Sequence, residues 1–360
     1  MYKEIKIAHM ADIHLGRRFE SIKAGRFNAD IKRQEIWKSF ENSLNICKDL
    51  DIQYVILAGD IYEKEYFTQT DFDRLSDIFN RYEFEFIYIA GNHDYLRYAI
   101  KHNIGSFPNN VKVLGANLDY IEYESSKLRF HGFSWDKEIV EKIDLNNIDI
   151  DRAYKNILIL HADYLPNDEY LYYRADELPM EKFDYIALGH IHKPTKLSEN
   201  TFYSGSLEPL SFKEDEAHGF RIFTIDEHGL KDTEFIASSI RNYHNIEINI
   251  ESDESFGDIR KKFLDIKNRN KDYFRINLKG FYDSSFNIES LYESLSDYFY
   301  YIEIKDMRET QWDMSEIEKL YEDTIVKNFI DNILNDENIE EVYKDKIIKK
   351  GLEVLLTGVN

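Results

Sequence analysis

Phe84-Glu85-Phe86-Ile87-Tyr88-Ile89-Ala90-Gly91-Asn92-His93-Asp94 decides the fold. An apolar run rich in aromatic and β-branched residues reads as a buried strand. It breaks at a glycine into three side chains that bind metals or protons. Working outward, the same arrangement recurs. Residues 5–10 are apolar and lead to Asp12 and His14, and residues 54–58 lead to Gly59-Asp60. Residues 157–160 lead to His161, and residues 185–188 lead to Gly189-His190-Ile191-His192. Between the early runs, Ile36, Phe40, Leu44 and Cys47 recur at helical spacing, so the pattern predicts a helix over about 31–50. Phe72, Leu75 and Phe79 mark another. Strands alternating with helices give an α/β chain, in which ligands gather beyond the carboxyl ends of the strands. Turns are polar anyway, which accounts for any one cluster. It accounts less well for five, because ordinary turns favour Gly, Pro, Asn, Asp and Ser over histidine.

The donor set is the second clue. Asp12, Asp60, Asn92, His14, His161, His190 and His192 offer oxygen and imidazole nitrogen. The sole cysteine, Cys47, falls on an apolar helix stripe and reads as a small buried hydrophobe, so thiolate ligation and disulfides are excluded. Such donors suit manganese, iron or zinc better than calcium. Seven groups are too many for one tetrahedral ion and suit two ions sharing a carboxylate. Two metals roughly 3.5–4 Å apart clamp the attacking and leaving oxygens of a phosphoryl displacement. Asp12-Ile13-His14 is weak evidence alone and Gly59-Asp60 is weaker. Gly91-Asn92-His93-Asp94 is more specific, and their joint order carries the reading.

These motifs, in this order, resemble the calcineurin-like metallophosphoesterases, whose pattern runs D-x-H, G-D, G-N-H-[DE], H and G-H-x-H. Within them the chain resembles the SbcD-type DNA repair exonucleases. Asp12-Ile13-His14-Leu15-Gly16 matches that branch, as does Tyr203-Ser204-Gly205-Ser206 followed by Pro209-Leu210-Ser211-Phe212 and Glu214. The resemblance implies a four-layer αββα sandwich, a small α/β capping domain and C-terminal helices. It divides the chain into a nuclease domain over 1–238, a capping domain over 239–310 and a docking segment over 311–360 for an SbcC-type, SMC-like ATPase. It implies that Asp12, His14 and His192 hold one ion, that Asn92, His161 and His190 hold the other, and that Asp60 bridges. It implies two divalent ions, manganese by preference. His93 would face the scissile phosphate, with Asp94 orienting its ring. Two positions depart from the family: the fourth motif is fixed only by His161, and His218 stands where the family often has lysine. His218 is read as exposed and non-catalytic, and His9 as structural.

Charge shapes the partner question. The 360 residues carry 46 Lys+Arg against 68 Asp+Glu, a net charge of −22. Binding nucleic acid by bulk charge is excluded, because the mean field repels phosphate. A local exception follows the first motif. Arg17, Arg18, Lys23, Arg26, Lys32, Arg33 and Lys38 face only Glu20, Asp30 and Glu35, a local charge of +4. Arg17, Arg18, Arg26, Lys32 and Arg33 are the candidate DNA contacts; a solvated helix of mixed charge is the plainer alternative. The start of the sequence has no apolar signal core and no run spans a membrane, so the chain reads as cytoplasmic. The many Tyr and Phe are not read as a stacking surface.

Beyond about residue 241 the pattern becomes a small α/β unit, with alternation at Ile246, Ile248 and Ile250 and again at Phe274, Ile276 and Leu278. After Trp312 the chain is helical, with one stripe through Ile317, Tyr321, Ile325, Phe329 and Ile333 and a second helix through Ile339, Val342, Ile347 and Leu355. These helices either dock on a partner or fold back. The leading expectation, from the resemblance, is a 3′-to-5′ exonuclease with single-strand endonuclease activity, working with the ATPase, and the family suggests a homodimer. The runner-up is a small-molecule or cyclic-nucleotide phosphodiesterase on the same site. A phosphatase is weaker, since Arg97 is the one candidate arginine near the second and third motifs, and a scaffold without activity would have lost ligands.

Overall fold

The computed structural model describes residues 4–19, 29–101, 106–145, 148–166, 170–280, 286–308 and 314–357. The chain divides into two compact units, Met1–His244 and Asn245–Asn360.

In the first unit the elements run β1 (Ile5–Met10), α1 (Ala29–Asp49), β2 (Tyr54–Ala58), α2 (Gln69–Asn80), β3 (Glu85–Ile89), α3 (Leu96–Lys101), β4 (Val111–Val113), β5 (Asp119–Tyr123), β6 (Leu128–Gly132), β7 (Lys155–His161), β8 (Tyr185–Gly189), β9 (Thr195–Lys196), β10 (Thr201–Tyr203), β11 (Gly219–Asp226) and β12 (Gly229–Ala237). They form two six-stranded sheets, ordered β12-β11-β1-β2-β3-β4 and β5-β6-β7-β8-β10-β9. β1, β2, β3 and β4 are parallel to one another, as are β6, β7, β8 and β10. Parallel strands are covered on both faces, which is why their sequences are apolar without a break.

The period of two then sorts each run between two cores. Val55, Leu57, Phe86 and Tyr88 face a core shared with α1 and α2, where Ile36, Phe40, Leu44 and Cys47 are fully buried. Ile56, Ala58, Ile87 and Ile89 face the second sheet, meeting Ile157, Ile159, Tyr185 and Ala187. The other face of that sheet, Leu158, Leu160, Ile186 and Leu188, packs under Phe133, Trp135, Leu145 and Phe183. The four-layer sandwich is therefore present. Its last layer is irregular chain with short 3-10 turns at Ala175–Glu177 and Met180–Lys182. α2 starts in a capping box, Thr68 Oγ1 accepting from the Asp71 amide while the Asp71 carboxylate accepts from the Thr68 amide.

The second unit begins within β13 (Tyr243–Ile250) and continues through α4 (Phe256–Leu264), β14 (Tyr273–Gly280), α5 (Ile288–Leu295) and β15 (Tyr301–Asp306), and then α6 (Met314–Leu320), α7 (Ile325–Asn335) and α8 (Glu341–Thr357). β13, β14 and β15 make a three-stranded sheet, with α4 and α5 laid on it through Ile259, Phe263, Leu291 and Leu295. α6 to α8 bury a separate cluster, Ile317, Val326, Ile330, Ile348 and Leu352. The expected single helical stripe is broken: Thr324 Oγ1 accepts from the Val326 amide and starts α7 afresh. Among the described residues no helix is long and apolar enough to cross a membrane.

Candidate metal centre

The five polar clusters converge beyond the carboxyl ends of β1, β2, β3, β7 and β8. Their loops are zipped together by backbone bonds: the Asp12 amide donates to the Gly59 carbonyl (3.1 Å), His14 to Asp60 (3.0 Å) and Leu15 to Ile61 (2.8 Å). The turns are tight enough to force Asp12 (φ 53°), His14 (φ 54°), Asp60 (φ 53°) and His190 (φ 99°) to positive φ. Non-glycine residues there are strained, and such strain collects at functional sites.

Two groups of side chains result. In the first, ligand atoms of Asp12, His14 and His192 lie within 4.8 Å of one another. The Nε2 atoms of His14 and His192 are 3.0 Å apart. In the second, Asn92 Oδ1 lies 2.9 Å from His161 Nε2 and 3.3 Å from His190 Nδ1. Asp60 stands between, with Oδ2 3.3 Å from His161 Nε2, and its group also closes with Asp12 and His161. The floor admits nothing larger than hydrogen: a Cβ on Gly91 would stand 2.3 Å from Asp60 Oδ1 and 2.7 Å from His161 Nε2.

The donors fit divalent cations on chemical grounds. His192 Nδ1 lies 3.1 Å from Glu214 Oε1, so that nitrogen carries the proton and Nε2 presents a lone pair. His14 Nδ1 is 3.0 Å from Glu63 Oε1, at an angle short of a formed hydrogen bond. A proton placed on that nitrogen faces the carboxylate, and in that tautomer Nε2 presents a lone pair. Two such nitrogens 3.0 Å apart beside Asp12 must share either a proton or a cation. His161 Nδ1 donates to the Ala58 carbonyl at 2.9 Å, freeing its Nε2 in the same way. Electrostatics agree. Burial alone would lower the His161 pKa, but the Asp60 and Asp12 carboxylates outweigh it and raise it to about 9. Burial and the His161 charge together drop His190 to about 3. The carboxylates draw in positive charge, which bound ions supply when present.

His93 lies at the rim, 37% exposed, its ring 5.0 Å from that of His14. The carboxylate against its Nδ1 is Glu63, at 2.8 Å. The expectation that Asp94 orients the His93 ring is corrected. Asp94 is buried and accepts from the amides of Gly91 (2.6 Å), Asp60 (3.2 Å) and Ile61 (2.7 Å) and from the Tyr88 hydroxyl (2.9 Å). It ties two loops together and has no capacity left for His93. Glu63 and Glu214 were the residues sequence reasoning missed. The usable signal was chemical: a ligating histidine needs a carboxylate or carbonyl on its other nitrogen.

The basic flank is only partly a surface. Arg17 is 35% exposed and donates to Glu63 Oε1 at 2.9 Å. Arg18 is exposed and stacks over Tyr66. Arg33 is 39% exposed and pairs with Asp30 at 3.2 Å. Arg26, like Lys23, lies outside the described residues. Lys32 is corrected: it is fully buried, its Nζ 3.0 Å from Glu208 Oε2, and no phosphate reaches it. His218 is corrected too, being fully buried with Nδ1 2.8 Å from Ser206 Oγ. His9 is buried against the Tyr185 hydroxyl, as a structural residue should be.

Comparison with known proteins places this geometry. A DNA double-strand break repair protein Mre11 from Methanosarcina acetivorans is 27% identical over 255 residues, covering 64% of this chain and 38% of that protein. The chain therefore spans well under half of that relative. The SbcD component of the nuclease SbcCD from Staphylococcus epidermidis is 25% identical over 378 residues, covering 91% of this chain and 93% of that one. A solved dimetal phosphatase from Danio rerio covers 65% of this chain with a TM-score of 0.38 and 12% identity. The family model for calcineurin-like phosphoesterases matches residues 5–194, the stretch that carries every residue of the two groups. The chain belongs to the calcineurin-like phosphoesterases, a family of metal-dependent hydrolases built around a dimetal site.

Proposed function

We propose that this protein is a two-metal DNA nuclease of the double-strand-break repair type. What carries the reading is the likeness to a nuclease component along 91% of the chain, a span reaching well past the phosphoesterase domain. The roles follow the two groups of donors. Asp12, His14 and His192 would hold one ion, Asn92, His161 and His190 would hold the other, and Asp60 would serve both. Bound divalent ions, manganese by preference, supply positive charge at the phosphate and make water available as a nucleophile near neutral pH. His93, held by Glu63 through Nδ1, keeps its other ring nitrogen for the phosphodiester and gives a proton to the leaving oxygen. Asp94 holds the Gly59-Asp60 and Gly91-Asn92 loops in register. Arg17, Arg18 and Arg33 track the phosphates beside the site.

In this reading the enzyme degrades DNA 3′-to-5′, cuts single strands internally and works in the cytoplasm with an SbcC-type ATPase, as a homodimer. Ile325 (71% exposed) and Val342 (73% exposed) on α7 and α8 suit such a partner. The partner would also supply the DNA affinity that a chain of net charge −22 lacks. The domain limits 1–238, 239–310 and 311–360 remain part of the proposal. The test compares wild type and His93→Ala on single-stranded DNA, duplex DNA and a generic phosphodiester with manganese. Degradation of DNA by wild type alone is the expected result. Cleavage of cyclic nucleotides with DNA left intact would replace this reading with the small-molecule phosphodiesterase.

A further inference from the structure

The two ion positions are not equivalent, and the difference lies behind the ligands. The donor group of Asp12, His14 and His192 has a carboxylate behind each histidine. Glu214 Oε1 meets His192 Nδ1 at 3.1 Å, and Glu63 Oε1 stands 3.0 Å from His14 Nδ1. Glu214 is itself held in place, its Oε2 accepting from the Leu210 amide at 2.8 Å. Among the described residues, the groups seen against the donor group of Asn92, His161 and His190 are neutral. His161 Nδ1 leans on the Ala58 carbonyl at 2.9 Å, and the His190 ring lies against Tyr170 with centroids 4.7 Å apart. Its own third donor, Asn92, is an uncharged amide. With Asp60 shared, the first position thus has Asp12, Glu214 and a Glu63 that it shares with Arg17 and His93, where the described surroundings of the second are Asn92, a carbonyl and a phenol ring.

Charge count and basicity point the same way. A carboxylate on the far nitrogen raises an imidazole's strength as a donor and fixes its tautomer, and removing such a partner typically costs about 10–100-fold in metal affinity. In a buried site each added negative charge counts for more than in water.

We propose that the two ion sites fill in order, the Asp12–His14–His192 site first and tightly, the Asn92–His161–His190 site second and weakly, because Glu214 and Glu63 stand behind the histidines of the first. The inference rests on the dimetal reading above. The second ion then becomes the exchangeable one, set by the free cation concentration, while the first stays with the protein.

The experiment is titration of the full-length, chelator-stripped chain with manganese chloride alone, followed by calorimetry and by electron paramagnetic resonance at each equivalent. Wild type is expected to show two steps. The first equivalent should give a mononuclear signal and the second a spin-coupled pair. Glu214→Gln removes the charge and leaves one acceptor oxygen for two donors, so with that oxygen on the Leu210 amide the His192 Nδ1 proton loses its acceptor. It should weaken the first step about 10-fold or more and leave the second near its wild-type value. Glu63→Gln should act in the same direction. His190→Ala should delete the second step and spare the first. A thermal melt of each metal-free variant separates loss of affinity from loss of fold, and Glu214→Asp, which keeps the charge, should restore part of the first step. Two steps of equal affinity, an unchanged first step in Glu214→Gln, or loss of the first step in His190→Ala would each overturn the ordering while leaving the dimetal reading standing. Binding of fewer than two ions by wild type would overturn both.

Discussion

Lys32 and Glu208 form an ion pair with no access to solvent, with side chains 0% and 1% exposed and Nζ 3.0 Å from Oε2. The pair joins α1 to the loop after Ser206, and Glu208 Oε1 also accepts from the Ile240 amide. Burial raises the Glu208 pKa, while Lys32 opposes the rise. Removing one partner strands the other charge in the core, a loss of about 3–5 kcal/mol. Lys32→Met and Glu208→Gln should each approach that figure. The double variant removes both charges and keeps an acceptor for Ile240, so it should be more stable than either single variant, within about 1–2 kcal/mol of wild type. For a domain of this size each kcal/mol moves the melting point by roughly 2–4 °C, so each single variant should melt on the order of 10 °C lower. Calorimetry on the four proteins of the cycle measures this. Single variants that melt within about 2 °C of wild type would refute the argument, as would a double variant whose loss equals the sum of the two. A fall in DNA affinity for Lys32→Met with no fall in stability would return Lys32 to the basic flank.

Three further outcomes follow from the site. Gly91→Ala places a Cβ 2.3 Å from Asp60 Oδ1, so the variant should fold but purify with little manganese, as elemental analysis would record. Normal metal content would mean the loop yields. At saturating manganese, Glu63→Gln should lower kcat on DNA about 10-fold or more with KM little changed, because it loosens the His93 ring without touching substrate; an effect confined to KM would contradict that role. Replacing Arg17, Arg18 and Arg33 together by alanine should flatten the dependence of log K on log salt by up to about 0.9 per lost phosphate contact. An unaltered slope would mark the stretch as an ordinary solvated surface.

The strands and the convergence of the Asp, Asn and His side chains after them were legible because two signals coincided: unbroken apolar runs, and histidine directly after them. What was not legible was pairing across loops. Asp94 follows His93 in the chain, and adjacency suggested that it orients the ring. In the fold its carboxylate turns inward onto four donors, and Glu63, thirty residues earlier, takes the role. Lys32 shows a related failure. In a run of seven basic residues it counts as one more positive charge, and only the packing of α1 reveals that it points at Glu208. The helical stripe from Ile317 to Ile333 keeps its period across a break, because periodicity does not sense that Thr324 caps a new helix. The edge strands β5 and β12 escaped for the opposite reason. Their mixed burial leaves no clean apolar run to read.

The strain at the centre has a structural counterpart in Asp94. Positive φ at Asp12, His14, Asp60 and His190 costs on the order of 1–3 kcal/mol each. The same turns bring two carboxylates and four imidazoles into one crevice. Backbone bonds between the Asp12–Leu15 and Gly59–Ile61 loops hold part of this arrangement, and Asp94 adds to them. Three of the bonds to Asp94 come from backbone amides of the Gly59-Asp60-Ile61 and Gly91 loops, so one buried anion fixes the loops that carry Asp60 and Asn92. The loops are therefore rigid before any ion arrives, and their excess of negative charge is directed at cations. That turns the acidity of the chain from an obstacle into a requirement. A surface of net charge −22 repels phosphate, and so do the carboxylates of the site itself. Only with those carboxylates matched by divalent ions would the crevice become a receptor for an anion, and on the proposed function that would confine phosphodiester chemistry to the place where the ions bind.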